Sequence, residues 1–316
     1  MYAQHFGLDL PPFELLPDTA RFAALPQYRD ALDLVEYGIR SGQGVVKVTG
    51  EIGLGKTLLC RLLLNRLADD CALAYLPNPT LDAMGVLHAV ARELKAGPIR
   101  ARHPGSLLHL INRRLITLRA QGRRAVVVID EAQGLSTQAL EGVRLLANLE
   151  TESDKLLQII MFGSPELDEH LSTYECRALR QRITLTCRLQ PLNREQSMQY
   201  IVSRLSQAGM RAGVPFEDTA LRRLVRAAGG VPRVINVLAH KSLLAAVGRG
   251  APRAAARDID AAVTDSAEQI GGLQRRLSAW RCGVREIGGS MLSLALLAGA
   301  AGAAAVLLVL HTGSLS

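Results

Sequence analysis

The fold of this chain is decided by eight consecutive residues, Gly50-Glu51-Ile52-Gly53-Leu54-Gly55-Lys56-Thr57. They fit the pattern G-x-x-x-x-G-K-[ST], and they lie between a β-branched run at 45–49 and an apolar, helix-like run at 58–64. That order of strand, glycine loop and helix is the context that a phosphate-binding loop requires. Glycines let successive backbone N–H groups point at one anion, and the helix start adds positive partial charge. The stretch therefore predicts a site for a nucleoside triphosphate.

The side chains of this loop have separate expected roles. Lys56 is expected to reach the β- and γ-phosphates of ATP, and the Thr57 hydroxyl is expected to bind Mg²⁺ beside them. The alternative is a glycine-rich turn with a chance Lys-Thr pair, which the matching strand and helix on either side disfavour. The residues expected to surround the nucleotide here are Gly50, Glu51, Ile52, Gly53, Leu54, Gly55, Lys56, Thr57 and Leu58.

A second segment concerns hydrolysis. The unbroken apolar run at 125–129 is typical of a strand buried on both faces of a parallel sheet, and it ends in Asp130-Glu131. Ligands of doubly wound sheets bind at the carboxyl ends of the strands. We expect Asp130 to hold Mg²⁺ and Glu131 to orient and deprotonate the attacking water. A solvated acidic cap for the next helix is the alternative, and the phosphate loop upstream disfavours it. The pair predicts an ATP hydrolase.

Length, charge and cysteine usage narrow the class of protein. The 316 residues exceed one typical domain, so two packed units are expected. Five cysteines are scattered without a C-x-x-C pair, which argues against a zinc site or a disulfide framework. The net charge of +8 would suit nucleic acid, but no block of basic residues and no aromatic–basic alternation accompanies it. Nucleic acid is therefore not an expected partner.

Hydrophobic periodicity divides the chain into an α/β core and a helical unit. Strand-like and helical patterns alternate through 44–190, which predicts a parallel five-stranded sheet between layers of helices. Only helical patterns follow, so 191–268 is expected to be a helical lid, and 1–43 is set apart as an N-terminal segment. The predicted strands are 45–49, 72–76, 125–129, 157–162 and 183–188. The predicted helices are 56–68, 82–95, 106–120, 137–149, 194–208, 217–228, 232–247 and 257–268.

The carboxyl-terminal region predicts a membrane anchor. No charged residue occurs from Ile287 to Leu310, and about twenty apolar residues are enough to cross the hydrocarbon core of a bilayer. A buried core helix is the alternative, and the apolar character of the run on all sides disfavours it. The expected parts are a basic linker at 269–289, a transmembrane helix at 290–310 and a short periplasmic tail at 311–316. Arginines precede the span and none follows it, which predicts that the ATPase domain lies in the cytoplasm; the family resemblance described next implies that the membrane is the inner membrane of a bacterium. Those arginines are Arg275, Arg276, Arg281 and Arg285.

Motifs over roughly residues 1–270 resemble the ExeA/GspA group of AAA+ ATPases. They include His5-Phe6-Gly7-Leu8, Ile129-Asp130-Glu131-Ala132-Gln133, Asn148-Leu149-Glu150-Thr151-Glu152, Pro165-Glu166-Leu167-Asp168 and Gly230-Val231-Pro232-Arg233-Val234-Ile235-Asn236. Within the group, the sequence is most similar to members that serve MSHA-type pili. The resemblance implies an AAA+ core with a lid, a homo-oligomer (a ring or a dimer), and an inner-membrane protein of a type II secretion or type IV pilus system as partner.

The same resemblance implies roles for three arginines. Arg180 and Arg182 precede the strand at 183–188, where AAA+ proteins present an arginine finger to the γ-phosphate in the neighbouring subunit; Arg182 is the favoured candidate. A solvated arginine at a helix end is the alternative for this pair. Arg233, at a helix start, is expected to be the second sensor, which contacts the γ-phosphate of its own subunit. An arginine with no role would be unfavourable there against the helix dipole.

The sequence also departs from the group's pattern. Members carry glutamine where this chain has Ser164, which shortens the reach of the first sensor, so Asn78 or Asn148 is a further candidate for that role. GspA-like members continue past their span into a peptidoglycan-binding domain, whereas this sequence ends at Ser316. Coupling to the periplasm is therefore expected to pass through a partner.

Three other functions share the same core. A transposition-helper ATPase would bind DNA, but a membrane tether does not suit a protein that searches for DNA targets. A scaffold that binds ATP without turnover would not need Glu131 as a base. An ATPase of an exopolysaccharide export locus remains open. The genes beside this one would distinguish the systems.

Overall fold

The computed structural model describes residues 2–15, 18–77, 80–98, 103–151, 155–211 and 213–267. The chain divides into two compact units, Met1–Asp265 and Ser266–Ser316. All the helices and strands below lie in the first unit. The predicted linker at 269–289, transmembrane helix at 290–310 and tail at 311–316 lie outside the described residues.

A single parallel sheet forms the centre of the α/β core. Its five strands are ordered β2-β3-β4-β1-β5, and every neighbouring pair is parallel. The strands are β1 Val45–Thr49, β2 Cys71–Leu76, β3 Arg124–Ile129, β4 Leu157–Gly163 and β5 Ile183–Arg188. Every residue of β4 is buried, whereas β5 at the edge has no fully buried residue. The predicted α/β class and five-stranded parallel sheet are confirmed, and each strand begins and ends within one residue of its prediction.

Helices connect and cover these strands. The helices up to the end of the core are α1 Tyr2–His5, α2 Pro26–Arg40, α3 Lys56–Leu67, α4 Ala83–Glu93, α5 Pro104–Ala120, α6 Thr137–Leu146, α7 Glu166–Ser172 and α8 Arg177–Arg180. The sequence analysis did not predict α1, α2, α7 or α8. In α2, Ala31, Leu32, Val35 and Ile39 are buried at helical spacing, so this amphipathic pattern was readable in the sequence.

Four further helices form the lid: α9 Arg194–Gln207, α10 Asp218–Ala228, α11 Pro232–Gly248 and α12 Ala256–Asp265. The turn between α10 and α11 admits only glycine at Gly230, which has a φ of 80°. A Cβ there would lie 2.1 Å from the carbonyl oxygen of Leu192, whose N–H donates a hydrogen bond to Gly230 O at 2.8 Å. This close crossing of two backbones fixes where α11 begins.

The N-terminal residues contact the helices of the lid. Arg204 of α9, 5% exposed, donates hydrogen bonds to the carbonyl oxygens of Pro12 at 2.7 Å and Arg21 at 3.4 Å. The Tyr2 hydroxyl and His240 Nδ1 of α11 are hydrogen-bonded at 3.1 Å. By contrast, α2 lies against β1 and β5. The predicted segment 1–43 therefore contains two parts, one on the lid and one on the sheet.

The described residues contain no helix that combines the length and the apolar character needed to cross a membrane.

Candidate nucleotide site

The phosphate loop follows β1 and ends at the first turn of α3. Gly53 and Gly55 have φ values of 86° and 93°, in the left-handed region that glycine adopts without strain. Gly50 lies against the segment after β5, where a Cβ would be 2.9 Å from Leu189 Cβ. Its N–H also donates to Gly163 O at 3.2 Å, which ties the loop to the end of β4. The glycines predicted for this loop are therefore at positions where a side chain would strain the backbone or collide.

Lys56 is folded into the centre of this loop. Its ammonium donates hydrogen bonds to Gly50 O at 2.7 Å and Glu51 O at 3.1 Å, and the residue is 5% exposed. Burial lowers the pKa of Lys56, although the Glu131 and Asp130 carboxylates partly oppose the shift. Phosphate oxygens entering the loop would replace these carbonyls as acceptors and stabilise the charged form. The lysine is thus held where the sequence predicts a phosphate contact.

Asp130 and Thr57 meet at the carboxyl end of β3. Asp130 is buried, and it accepts hydrogen bonds from the Thr57 hydroxyl and from the backbone N–H of Glu131 at 3.0 Å. Burial raises the pKa of this carboxyl, while the two hydrogen bonds partly oppose the shift. A cation beside it would favour the charged form, so two oxygen ligands already in contact fit Mg²⁺. Within the described part of the chain, no three His, Cys, Asp or Glu side chains group to hold a metal alone. The remaining ligands would come from phosphate and water.

Glu131 has an unusual backbone for a residue with a side chain. Its φ and ψ are 52° and 40°, in the left-handed region, where few non-glycine residues occur. Such strain is concentrated at functional sites. The conformation places the half-buried side chain at the cleft that Lys56 and Thr57 also line. Gln133 donates a hydrogen bond to this carboxylate, a contact that the sequence did not predict.

The cleft beside the loop has a volume of about 470 Å³, within the range of small-ligand sites. One side is the phosphate loop and Glu131, and the other side is built by the N-terminal residues and the lid. Tyr28 of α2 and Tyr200 of α9 are both buried there. The Tyr200 hydroxyl donates to Asn236 Oδ1 at 3.0 Å, and Asn236 Nδ2 donates to Glu14 O at 3.4 Å. Of Glu14, Tyr28, Tyr200 and Asn236, only Asn236 belongs to a motif quoted from the sequence.

The three predicted arginines fall into two places. Arg233, exposed in the first turn of α11, lines the cleft, and its N–H donates to Gly53 O at 3.2 Å. Arg180 and Arg182 do not line the cleft of their own chain. Arg180 is exposed and donates to Ser172 O at 3.3 Å, and half-buried Arg182 donates to Ala147 O at 3.3 Å. The roles of Arg233 as a sensor and of Arg182 or Arg180 as a finger for another subunit stay predictions.

Two candidates for the first sensor, Ser164 and Asn148, lie at opposite edges of the sheet. Ser164 follows β4 at the carboxyl edge of the sheet, where its backbone N–H donates to Gln133 Oε1 at 2.9 Å. Asn148 lies instead at the amino end of β4, two residues before a bridge between Glu150 and Lys155. The phosphate loop lies at the carboxyl edge of the sheet, so the length of β4 separates Asn148 from it. Asn148 is therefore not placed to contact the γ-phosphate. Asn78 lies outside the described residues.

Known protein families and sequences resemble this chain. Residues 39–171 match the model of an AAA domain family. Over 284 residues, the chain is 37% identical to general secretion pathway protein A of Aeromonas hydrophila, with 90% of this chain and 51% of that protein covered. It is 23% identical over 232 residues to an HTH-type transcriptional regulator of Methanocaldococcus jannaschii, with 69% of this chain and 55% of that protein covered. The chain thus spans about half the length of the curated relatives it matches.

Solved structures share the fold. Cdc6p from Pyrobaculum aerophilum superposes with a TM-score of 0.60 at 18% identity, over 83% of this chain and 70% of that one. ORC2 from Aeropyrum pernix, in complexes with ADPNP and ADP, superposes with a TM-score of 0.59 at 16% identity, over 81% of this chain and 71% of that one. The RuvB branch migration motor of Thermotoga maritima gives 0.50 at 18% identity, over 78% and 73%. At these identities the likeness concerns the fold alone.

The parallel sheet, the glycine loop, and the Asp130–Glu131 pair at the end of β3 define the class, which is a P-loop nucleoside triphosphatase with an AAA domain. Among AAA proteins, this chain is similar to general secretion pathway protein A over 90% of its own length. The predicted resemblance to the ExeA/GspA group is confirmed at this level, whereas a specific tie to MSHA-type pili stays a prediction.

Proposed function

We propose that this protein is a membrane-anchored ATPase that binds and hydrolyses ATP to drive or gate the assembly of an envelope-spanning type II secretion or MSHA-like type IV pilus system. One observation carries the proposal: Lys56 and Glu131 line one cleft, with Asp130 held behind them against Thr57, in a chain that is 37% identical to general secretion pathway protein A. Lys56 and Asp130 suit the binding of a nucleotide and its cation, and Glu131 suits hydrolysis. The arginines and the membrane anchor extend this assignment.

The phosphate loop would provide most of the contacts that bind ATP. The β- and γ-phosphates of ATP would accept hydrogen bonds from the loop N–H groups and from Lys56, which would leave the carbonyls of Gly50 and Glu51. Thr57 and Asp130 would hold Mg²⁺, which neutralises phosphate charge when bound. Arg233 would contact the γ-phosphate from the lid. Tyr28 and Tyr200 line the same cleft, and the Tyr28 ring lies 4.0 Å from the position of a Cβ at Gly55, so both aromatic rings would lie beside the bound nucleotide.

Hydrolysis requires a base and compensation for charge. Glu131 would accept a hydrogen bond from the attacking water and take its proton as the oxygen attacks the γ-phosphorus. Negative charge on the transferred group would be stabilised by Lys56 and Arg233 from the same subunit. Arg182, with Arg180 as the second candidate, would reach the γ-phosphate bound to a neighbouring copy. The active form would then be a homo-oligomer.

The membrane anchor rests on the sequence at 290–310. A span there would place the ATPase domain in the cytoplasm, because the four arginines upstream resist translocation. A tether of this kind would keep the ATPase at high effective concentration beside an inner-membrane partner. The similarity to general secretion pathway protein A supports a partner in a secretion system.

The proposal is tested by comparing the full chain with a chain that ends at Glu286. We expect the full chain to fractionate with membranes, and the shortened chain to be released while it hydrolyses ATP at an equal rate, because the site lies wholly within Met1–Asp265. The shortened chain should fail to restore secretion or piliation in cells that lack the gene. A full-length protein recovered away from membranes, or a chain that binds ATP without phosphate release, would contradict the proposal.

A further inference from the structure

Gln133 forms a bridge between the base and the end of the neighbouring strand. Its Nε2 donates a hydrogen bond to Glu131 Oε2 at 2.5 Å, and its Oε1 accepts one from Ser164 N at 2.9 Å. Gln133 itself does not line the nucleotide cleft. We infer that Gln133 is a positioning residue that holds Glu131 in its orientation and couples it to the segment after β4. The inference rests on the proposed hydrolysis of ATP.

The two contacts fix which way the amide of Gln133 points. The Ser164 backbone N–H is a donor only, so it must face the amide oxygen. The amide nitrogen then faces Glu131, whose ionised carboxylate is an acceptor only. No other assignment satisfies both partners, because reversing the amide would set donor against donor and oxygen against carboxylate. The orientation of the Gln133 amide is therefore set by Ser164 and Glu131 together.

The backbone around Ser164 leaves room for this bridge. Gly163 precedes Ser164, and a Cβ at Gly163 would lie 2.8 Å from Leu167 Cδ2 and 3.3 Å from Gln133 Oε1. The absence of a side chain thus lets the amide and the β4 end approach each other. Gly163 O in turn accepts the hydrogen bond from Gly50 N at 3.2 Å. A chain of hydrogen bonds therefore runs from the phosphate loop through the end of β4 and Gln133 to Glu131.

This chain of contacts gives Gln133 two effects. It anchors one carboxylate oxygen of Glu131 and leaves the other to accept a hydrogen bond from water. It also makes the position of Glu131 depend on the β4 end, so a displacement of Gly50 or Gly163 when phosphates fill the loop would be transmitted to the base. The backbone of Glu131 is itself strained, with φ at 52°, and such conformations persist where surrounding contacts hold them, as the bond from Gln133 does.

The test uses two substitutions in the full chain. Gln133→Met removes both polar atoms at similar length, and we expect kcat to fall about 10- to 100-fold because the base is misplaced. The dissociation constant for a fluorescent ATP analogue should stay within about threefold, because Gln133 does not touch the nucleotide. Gln133→Glu keeps the acceptor for Ser164 N–H but sets two carboxylates together. The acidic limb of its pH–kcat profile should move up by about one unit or more, since paired carboxylates raise one pKa.

Two further measurements separate the bridge from a general structural role. Gln138→Met makes the same chemical change at an exposed position of α6 and should leave kcat and the pH profile unchanged. Amide hydrogen exchange at Ser164 should accelerate in Gln133→Met and stay slow in Gln133→Glu, and this readout needs no turnover. An unsubstituted protein that releases no phosphate would refute the proposed hydrolysis, while Ser164 exchange would still decide whether the bridge exists.

Three results would overturn the inference. They are equal kcat values for Gln133→Met and Gln138→Met, a pH profile of Gln133→Glu that matches the unsubstituted protein, and unchanged exchange at Ser164 in Gln133→Met.

Discussion

The two sides of the nucleotide cleft are built in different ways. On the core side, Lys56, Asp130 and Glu131 come from short motifs at the ends of β1 and β3, and each side chain has at least one hydrogen-bond partner close in sequence. On the lid side, the wall depends on contacts between residues far apart, such as Arg204 with Pro12 at a separation of 192 residues. In the proposed function the core-side residues would contact the phosphates together with Arg233, whereas the other lid-side contacts shape the wall. The difference predicts large catalytic effects on one side and effects on affinity and stability on the other.

The largest expected effect compares two substitutions on the core side. Lys56→Ala should abolish nucleotide binding, because it removes a cation that contacts phosphate in the ground state. Glu131→Gln should keep binding and lower turnover by about 10²–10⁴-fold, because only the activation of water is lost. Binding of a fluorescent ATP analogue and release of phosphate measure the two effects separately.

Lys241→Ala is the control for this pair, since Lys241 forms an ion pair with Asp265 and does not line the cleft. It should change neither quantity. Equal loss of binding in Lys56→Ala and Glu131→Gln would refute the assignment of Glu131 as base.

A second prediction tests whether two copies complete the site. Arg182→Ala should lower turnover by up to about 10³-fold, the lower end of the effect of arginine fingers, while nucleotide binding is kept. Activity per subunit should rise with protein concentration. Mixing Arg182→Ala with Lys56→Ala should restore part of the turnover, because one copy supplies the finger and the other an intact loop.

Arg180→Ala is the matched comparison, because Arg180 is the second candidate two residues away. If Arg180→Ala and not Arg182→Ala shows the large loss and the rescue on mixing, the finger is Arg180. Activity that is independent of concentration, with no rescue for either variant, would show that the enzyme works as a monomer.

The difference between the two sides also explains what could be read from the sequence. The strands were predictable because buried apolar runs such as 125–129 have no exposed face, and the phosphate loop because Gly53 and Gly55 must have positive φ. Tyr28 and Tyr200 were not predictable, because nothing local distinguishes a tyrosine at the cleft from one in the core. Gln133 was quoted only within a motif, since its bond to Ser164 depends on the neighbouring β4. Long-range contacts therefore account for most of what was missed.

The smallest expected effect concerns the lid side. Arg204 is 5% exposed and donates to the carbonyls of Pro12 and Arg21. Arg204→Met keeps the apolar stem but leaves buried acceptors unpaired, which we expect to lower the free energy of unfolding by roughly 1–3 kcal/mol. Because residues 14–28 help to line the cleft, the affinity for ATP should weaken several-fold, while kcat at saturating ATP should stay the same.

Arg211→Met is the matched control for this prediction. It removes an arginine that also joins the lid to the N-terminal residues, through Asp9, but its side chain is 79% exposed, and exposed ion pairs contribute about 0–1 kcal/mol. Chemical denaturation, ATP binding and kcat should therefore be measured for both variants. If Arg204→Met lowers kcat as strongly as it weakens binding, the lid side acts on the chemical step and the division between the two sides is wrong. If both variants are as stable as the unsubstituted protein, the N-terminal residues are held on the lid by their apolar contacts rather than by Arg204.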